Sequence, residues 1–353
     1  MAFFGSSSPT EINTANDKDV TSPPEDSISD LAFSPQAELL TISSWDKKVR
    51  IYEVNPQGDT QGRALYEHQA PVLSTRFFPD GTKVVSGGCD NAVRAYDIQS
   101  GQTVQIGQHD APVSSVRVAE VGGAAGPIVA SCSWDKTLRY WDTRQPTPVS
   151  TIQLPDRAYA MDTQKQLLVV GTADRQMCQI NLANPATIFQ TVSSPLKWQT
   201  RVITCYPDGT GYAVGSIEGR CAIQYVDPER QKKDSFAFKC HREQKNPPAV
   251  SKPTSVIYAL NAISFHPVFG TFSTAGSDGF FHNWDKDSRY RLRGSQNVGG
   301  TIPCTAFNRN GTIFAYAVSY DWSKGHQFNT QNYPNTVKLH AVAEEEVKPR
   351  QKK

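Results

Sequence analysis

The sequence predicts an all-β chain folded as a propeller of seven four-stranded antiparallel blades. Three observations predict it. A unit of three alternating or apolar runs, broken by turn residues, recurs along the chain and has strand rather than helix period. An acidic turn residue marks each unit, at Asp46, Asp90, Asp135, Asp174, Glu218, Asp278 and, as the seventh, Asp321; the steps are 44, 45, 39, 44, 60 and 43 residues. A four-stranded repeat of about 40–45 residues is a propeller blade. The 24 glycines and 23 prolines suit many short strands and turns.

The first unit comprises Leu31–Pro35, Leu39–Asp46 and Val49–Val54; the second comprises Ser74–Gly81, Val84–Asp90 and Val93–Asp97; the third comprises Val113–Val118, Ile128–Asp135 and Leu138–Asp142. The fourth, around Tyr159 to Leu182, carries weaker repeat signals. The step of 60 holds an insertion over about 227–255, whose polar, proline-containing later part, 243–255, reads as a surface loop. The seventh unit supplies three strands, from Ile302 through Phe314–Val318 to Val337–Val342. A blade lacking its outer strand would expose an edge, so the segment near 17–21 is expected to close the ring. The predicted organisation is a flexible segment over 1–16, the propeller over 17–343 and a charged, solvated tail over 344–353.

With 38% apolar and 20% charged residues the chain can bury a core, which excludes whole-chain disorder. The net charge of +2 is not that of a nucleic-acid coat, though it allows a local basic patch. Seven cysteines, odd in number and without a CxxC pair, argue against a disulfide or zinc scaffold and for a reduced, cytosolic or nuclear compartment. No run approaches 18 apolar residues, so no membrane partner is expected. Met1–Thr10 lacks the features of a secretory signal. GxSxG, GxxxxGK[ST], GxGxxG opening a helix and HExxH are absent, and Cys240-His241 is adjacent rather than metal-spaced. The expectation is a binding protein: no enzyme, no cofactor and no metal.

Within the third unit His109 precedes the first strand, Ser131 lies on the second, Asp135 in the turn and Trp141 on the third. Imidazole, hydroxyl, carboxylate and indole can form one buried hydrogen-bond chain. This unit resembles a WD40 repeat. His68, Ser86 and Asp90 repeat the pattern in the second unit, with Tyr96 standing for the tryptophan. These residues are read as structural rather than catalytic.

Longer strings are more specific: Thr21–Ser27, Gln108–Val113, Ser133–Leu138, Gly215–Arg220, Phe236–Arg242 and Ser319–His326. Together they resemble the nuclear messenger-RNA export factor family of WD40 propellers, over about 17–353. The spindle-checkpoint propellers share Phe238-Lys-Cys-His-Arg242 and Gly276-Ser-Asp-Gly279, but Thr21–Ser27 and Ser319–His326 favour the export family. The resemblance implies a nuclear-pore partner bound through a GLEBS-type peptide, association with RNA or ribonucleoprotein, residence in the nucleus and at the pore with shuttling to the cytoplasm, and a mitotic role with spindle or checkpoint partners. It implies a groove beside blades five and six, at Arg220, Phe238, Lys239, Arg242, Trp284, Asp285, Lys286 and Arg289, with Arg291 as a basic neighbour. Phe238 would be its apolar anchor, although Trp284 is also an ordinary blade tryptophan. Tyr320, Asp321 and Trp322 form a second expected contact, unless Asp321 is simply a turn acid. The rival readings are a checkpoint adaptor binding a kinase peptide and the substrate receptor of a ubiquitin ligase.

Overall fold

The computed structural model describes residues 11–121, 124, 126–145, 147–245 and 254–350. Seven sheets stand round a common axis. Blade 1 is Ile28–Phe33, Leu39–Ser44, Lys48–Val54 and Thr60–Glu67; blade 2 is Val72–Phe77, Lys83–Gly88, Ala92–Asp97 and Thr103–Gln108; blade 3 is Val113–Glu120, Pro127–Ser133, Thr137–Trp141 and Ser150–Gln153. Blade 4 is Ala158–Gln164, Leu167–Thr172, Gln176–Asn181 and Gln190–Ser193; blade 5 is Thr200–Cys205, Gly211–Ser216, Arg220–Tyr225 and Phe236–Lys239; blade 6 is Leu260–Phe265, Phe272–Gly276, Phe281–Asp285 and Tyr290–Ser295. Blade 7 is Thr305–Phe307, Ile313–Val318 and Thr336–Ala341, completed by Lys18–Asp19. Lys18 pairs with Leu339 and Asp19 with Lys338, so the N-terminal strand closes the last blade as the sequence predicts. Each inner strand contacts the next round the circle, Thr305–Phe307 closing on Ile28–Phe33.

The recurring acids build the turns between second and third strands. The Asp46, Asp90, Asp135, Asp174, Asp278 and Asp321 carboxylates each accept the backbone N–H two residues on, at 2.9–3.3 Å. The residue after each acid is left-handed: Lys47, Asn91, Lys136, Arg175, Gly219, Gly279 and Trp322 have φ between 61° and 76°. That pairing of a side-chain-capped turn with one left-handed residue lets the chain reverse tightly. It assigns Asp321 as the seventh turn acid.

The buried apolar residues form seven clusters, one at each interface between adjacent blades. Second strands such as Leu167–Thr172 and Gly211–Ser216 are buried throughout, because both faces meet a neighbouring blade. Truncating such a residue to alanine costs about 2–5 kcal/mol, so the ring is a stiff scaffold for the loops it carries.

Three expectations change. Residues 11–16 are not free: Glu11–Ile12 adds a parallel fifth strand to blade 6, opposite Gly294 and Ser295, and Ile12 is buried with Phe281, Phe314 and Tyr316. The segment from 344 is not wholly solvated. Its short helix, Glu344–Val347, buries Val347, and the Thr271 hydroxyl donates to the Val347 carbonyl at 2.7 Å. Charge composition hid these anchors because each is a single apolar residue in a polar run. Finally, the outer strand of blade 5 ends at Lys239; Arg242–Lys245 pairs instead with Thr254–Ile257 in a separate ribbon. Residues 246–253 of the expected loop, and Phe4-Gly5, lie outside the described residues. No helix among the described residues is long and apolar enough to cross a membrane.

Candidate functional site

Buried hydrogen-bond chains engage several of the polar residues and mark them as structural. In blade 3 the Trp141 indole donates to Ser131 Oγ at 2.7 Å, Ser131 Oγ lies 2.7 Å from His109 Nε2, and His109 Nδ1 lies 2.8 Å from Asp135. With the indole donating, the serine proton goes to Nε2 and Nδ1–H donates to the carboxylate. In blade 2 His68 bridges Ser86 at 2.7 Å and Asp90 at 3.0 Å. Burial works against the Asp90 carboxylate, yet the His68 hydrogen bond and charge hold its pKa down at about 2. The aromatic donor there is Tyr66, whose hydroxyl reaches Ser86 at 2.8 Å; Tyr96, the residue expected from its place in the repeat, stacks on Tyr66 at 4.9 Å.

A third chain, missed in the sequence, crosses blade 6. Trp284 donates to Thr274 Oγ1 at 2.8 Å, which lies 3.1 Å from His241 Nε2, while Nδ1 lies 2.8 Å from Asp278. The insertion moves His241 away from its usual spacing, and threonine replaces serine. His241, Asp278 and His282 bring three potential ligand atoms within 4.8 Å. Both His241 nitrogens are already engaged, so this cluster fits the hydrogen-bond chain better than a metal.

The residues expected in one groove divide into a core pair and two basic patches. Phe238 and Trp284, 2% and 3% exposed, pack at 4.7 Å inside the interface of blades 5 and 6. Phe238 is therefore no surface anchor: it lies mid-strand against Trp284 and Phe272, whereas Phe236, two residues earlier, stays half-buried at the strand end. Arg220 pairs across from Lys239 at one end of blade 5, its Nε 3.6 Å from Glu218. Arg242 donates to the Glu218 carbonyl at 2.8 Å. Gly219 makes this corner possible, since a Cβ there would lie 2.5 Å from the His241 carbonyl oxygen.

The second patch lies at the Phe236 end, on the order of 10 Å away at strand rise. Buried Asp285 accepts the Asp287 N–H at 3.0 Å and the Ser288 hydroxyl at 2.5 Å, capping the turn that carries Lys286, whose ammonium donates to Asp287 at 2.7 Å, and exposed Arg289. Lys286 stands over the Tyr206 ring at 5.4 Å, Arg289 over Phe236 at 4.7 Å and Arg230 over Tyr225 at 4.3 Å. Arg291 sits across the ladder from Trp284. Cations on aromatic shelves suit phosphate backbones with stacking bases.

The second expected contact is also redistributed. Tyr320 and Asp321 are buried. The Tyr320 hydroxyl donates to the Gly325 carbonyl at 2.8 Å, and Asp321 accepts from Ser277 and, at 2.9 Å, from Asn261. Trp322 reaches the surface and stacks on Trp45. Its φ of 61° is unusual for a bulky residue, a conformation that costs about 1–3 kcal/mol and persists where the surroundings impose it.

These rings frame the mouth of the central channel. In six inner strands the ladder skips one residue: Ser29, Leu73, Ser114, Tyr159, Arg201 and Asn261. A bulge re-aims its extra residue, and all six line one cavity of about 510 Å³ with Trp45, Trp134 and Trp322 on its rim. Trp134 is 41% exposed. Two other channel guanidiniums are paired, Arg76 with Asp30 at 2.6 Å and Arg117 with Asp162 at 2.7 Å, while Arg157, on the same cavity, stands over the Tyr159 ring at 5.7 Å. Arg201 instead donates to the Asp321 carbonyl at 2.8 Å and to Asn261 Oδ1 at 3.2 Å, with no carboxylate at ion-pair distance among the described residues. Burial lowers its pKa, offset in part by the Asp321 charge. The sequence reading missed this ring, since bulge positions have no residue signature; the recurring Trp45-Asp46 and Trp134-Asp135 pairs were the available signal.

Residues 18–53, 60–97 and 101–142 match the family described as WD domain, G-beta repeat. The chain is 54% identical to the poly(A)+ RNA export protein of Schizosaccharomyces pombe, over all of this chain and 99% of the other. It is 52% identical to mRNA export factor GLE2 of Chaetomium thermophilum, over 99% and 98%, and 44% identical to protein Rae1 of Drosophila melanogaster, over 99% of each. Seven closed blades, hydrogen-bond chains repeated from blade to blade and this full-length identity lead to one conclusion: the chain belongs to the messenger-RNA export factor family of WD40 propellers.

Proposed function

We propose that this protein is a non-enzymatic adaptor in messenger-RNA export, holding a GLEBS-type peptide of a nuclear-pore protein on one surface and RNA or ribonucleoprotein on another. The observation that carries the reading is the channel mouth: Arg201, with no carboxylate at ion-pair distance among the described residues, ringed by Trp45, Trp134, Trp322 and Tyr159. Aromatic anchors and arginine are what dominate protein interfaces, and a guanidinium can take an incoming carboxylate with two parallel hydrogen bonds. The peptide contact therefore moves from the blade 5–6 groove to this face, with Trp322 retained from the expected second contact. The patch at Arg230, Lys286 and Arg289 is the RNA surface, with Arg220, Lys239 and Arg242 as a separate basic corner. The export names of the relatives support this reading over a checkpoint adaptor or a ligase receptor. The protein acts in the nucleus and at the pore, shuttles to the cytoplasm and has a second role in mitosis. Purification from nuclear extract tests it: a nucleoporin that stays bound after nuclease, with RNA that nuclease removes, is expected. A nucleoporin lost with the RNA would remove direct peptide binding.

A further inference from the structure

A second cavity of about 240 Å³ opens between blades 7 and 1, lined by Glu25, Asp26, Ser27, Tyr320, Gln331 and Tyr333 among others. Its chemistry is opposite to that of the channel mouth. Glu25 is exposed, and its backbone N–H is held by Asp46 at 3.1 Å. Asp26 takes the Asn329 amide at 3.0 Å and the Ser27 N–H at 2.6 Å. Ser27 is 3% exposed, and its hydroxyl has no hydrogen-bond partner among the described residues. A buried hydroxyl left unpaired is costly, and a donor from a ligand would satisfy it. Tyr320 and Tyr333 meet edge to face at 5.3 Å and form an aromatic wall.

We propose that this cavity is a subsite for one lysine or arginine side chain of the bound peptide. Two carboxylates, an unpaired hydroxyl acceptor and a tyrosine wall match an ammonium or guanidinium head by charge, by hydrogen bonding and by cation–π contact. Tyr320 lines both cavities, and the carbonyl of the next residue, Asp321, holds Arg201. The acidic and basic subsites therefore adjoin through two consecutive residues. A peptide crossing this face meets a cation at the channel and anions at the rim, so its acidic and basic residues must follow in one order. This arrangement selects peptides by the spacing of opposite charges and fixes the direction in which they lie. The proposal rests on the channel mouth being the peptide site.

The test uses the full chain and short synthetic peptides carrying a tryptophan and a central glutamate. A lysine is placed at successive distances on either side of the glutamate, or replaced by norleucine, and affinities are measured by calorimetry. On one side only, one spacing should bind about tenfold tighter than its norleucine counterpart, the size of one charge-assisted contact. Glu25→Gln should erase that advantage while leaving the norleucine peptide unchanged. A lysine preference at no spacing, or one that survives Glu25→Gln, overturns the subsite. Arg201→Gln separates the two claims: if it leaves the dependence on glutamate intact, the channel-mouth reading itself fails.

Discussion

Trp45 and Trp322, from opposite ends of the chain, stack with ring centroids 4.0 Å apart and planes 25° from parallel. Blade 1 donates one ring and blade 7 the other, so the pair spans the seam where the propeller closes. Trp322 takes the left-handed turn position that Lys47, Asn91, Lys136 and Arg175 fill in blades 1 to 4. The proposed function gives this strained, half-exposed aromatic the role of a contact surface.

Replacing Trp45 by alanine should therefore weaken a GLEBS-type peptide by at least about tenfold, a loss typical of a central aromatic anchor. The melting temperature should fall little, because Trp45 is only half-buried. Calorimetry and a thermal melt on the same sample decide it. A large loss of stability with unchanged affinity would make the pair a structural clasp.

The blade 6 chain gives an independent stability prediction. Thr274→Val keeps the shape but leaves the Trp284 N–H and His241 without their shared hydroxyl. The expected cost is about 1–3 kcal/mol, read from urea denaturation, and Ser131→Ala in blade 3 should cost a similar amount. If Thr274→Val is neutral, the chain contributes nothing to blade 6.

His340 joins both ends of the chain. Its Nδ1 lies 2.7 Å from Asp17 and its Nε2 2.9 Å from Glu346. Burial opposes its charge, but these two carboxylates raise its pKa to about 9. A raised histidine contributes fully below its unfolded value of 6.5 and loses the contribution as pH rises through about 9. The gain is at most about 3 kcal/mol. Melting temperature should decline between pH 6.5 and 9, and His340→Gln should lower it at pH 6 and flatten the decline. Parallel pH profiles for the two proteins would remove this clasp.

Charge reversal at Lys286 and Arg289 should weaken RNA and lower the slope of log affinity against log salt by about 2. Arg220→Glu, at the far end of the strand, should leave that slope nearly unchanged, and none of the three should affect a peptide held at the channel mouth. Filter binding across a salt series distinguishes them. Equal effects from Arg220 and Lys286 would restore a single groove.

The blade count, the closing strand and two of the three hydrogen-bond chains were legible in the sequence, because each rests on a residue at fixed spacing: a turn acid, a histidine, a hydroxyl, an indole. What was not legible depends on geometry without a residue signature. Whether Phe236 or Phe238 faces solvent depends on what packs above the strand. Tyr66 displaces Tyr96 from the hydrogen-bond chain because it approaches from the neighbouring blade. The Tyr159 and Arg201 positions reach the channel through bulges that composition does not encode, and the anchors Ile12 and Val347 are single apolar residues in polar runs.

The most direct test of the central claim is the affinity of a GLEBS-type nucleoporin peptide for the protein and for Arg201→Glu, measured by calorimetry at fixed salt. The channel-mouth site predicts a loss of at least about a hundredfold, since a guanidinium–carboxylate pair becomes a like-charge contact, with the melting curve retained. Unchanged affinity in a folded variant would contradict it and move the peptide elsewhere on the ring.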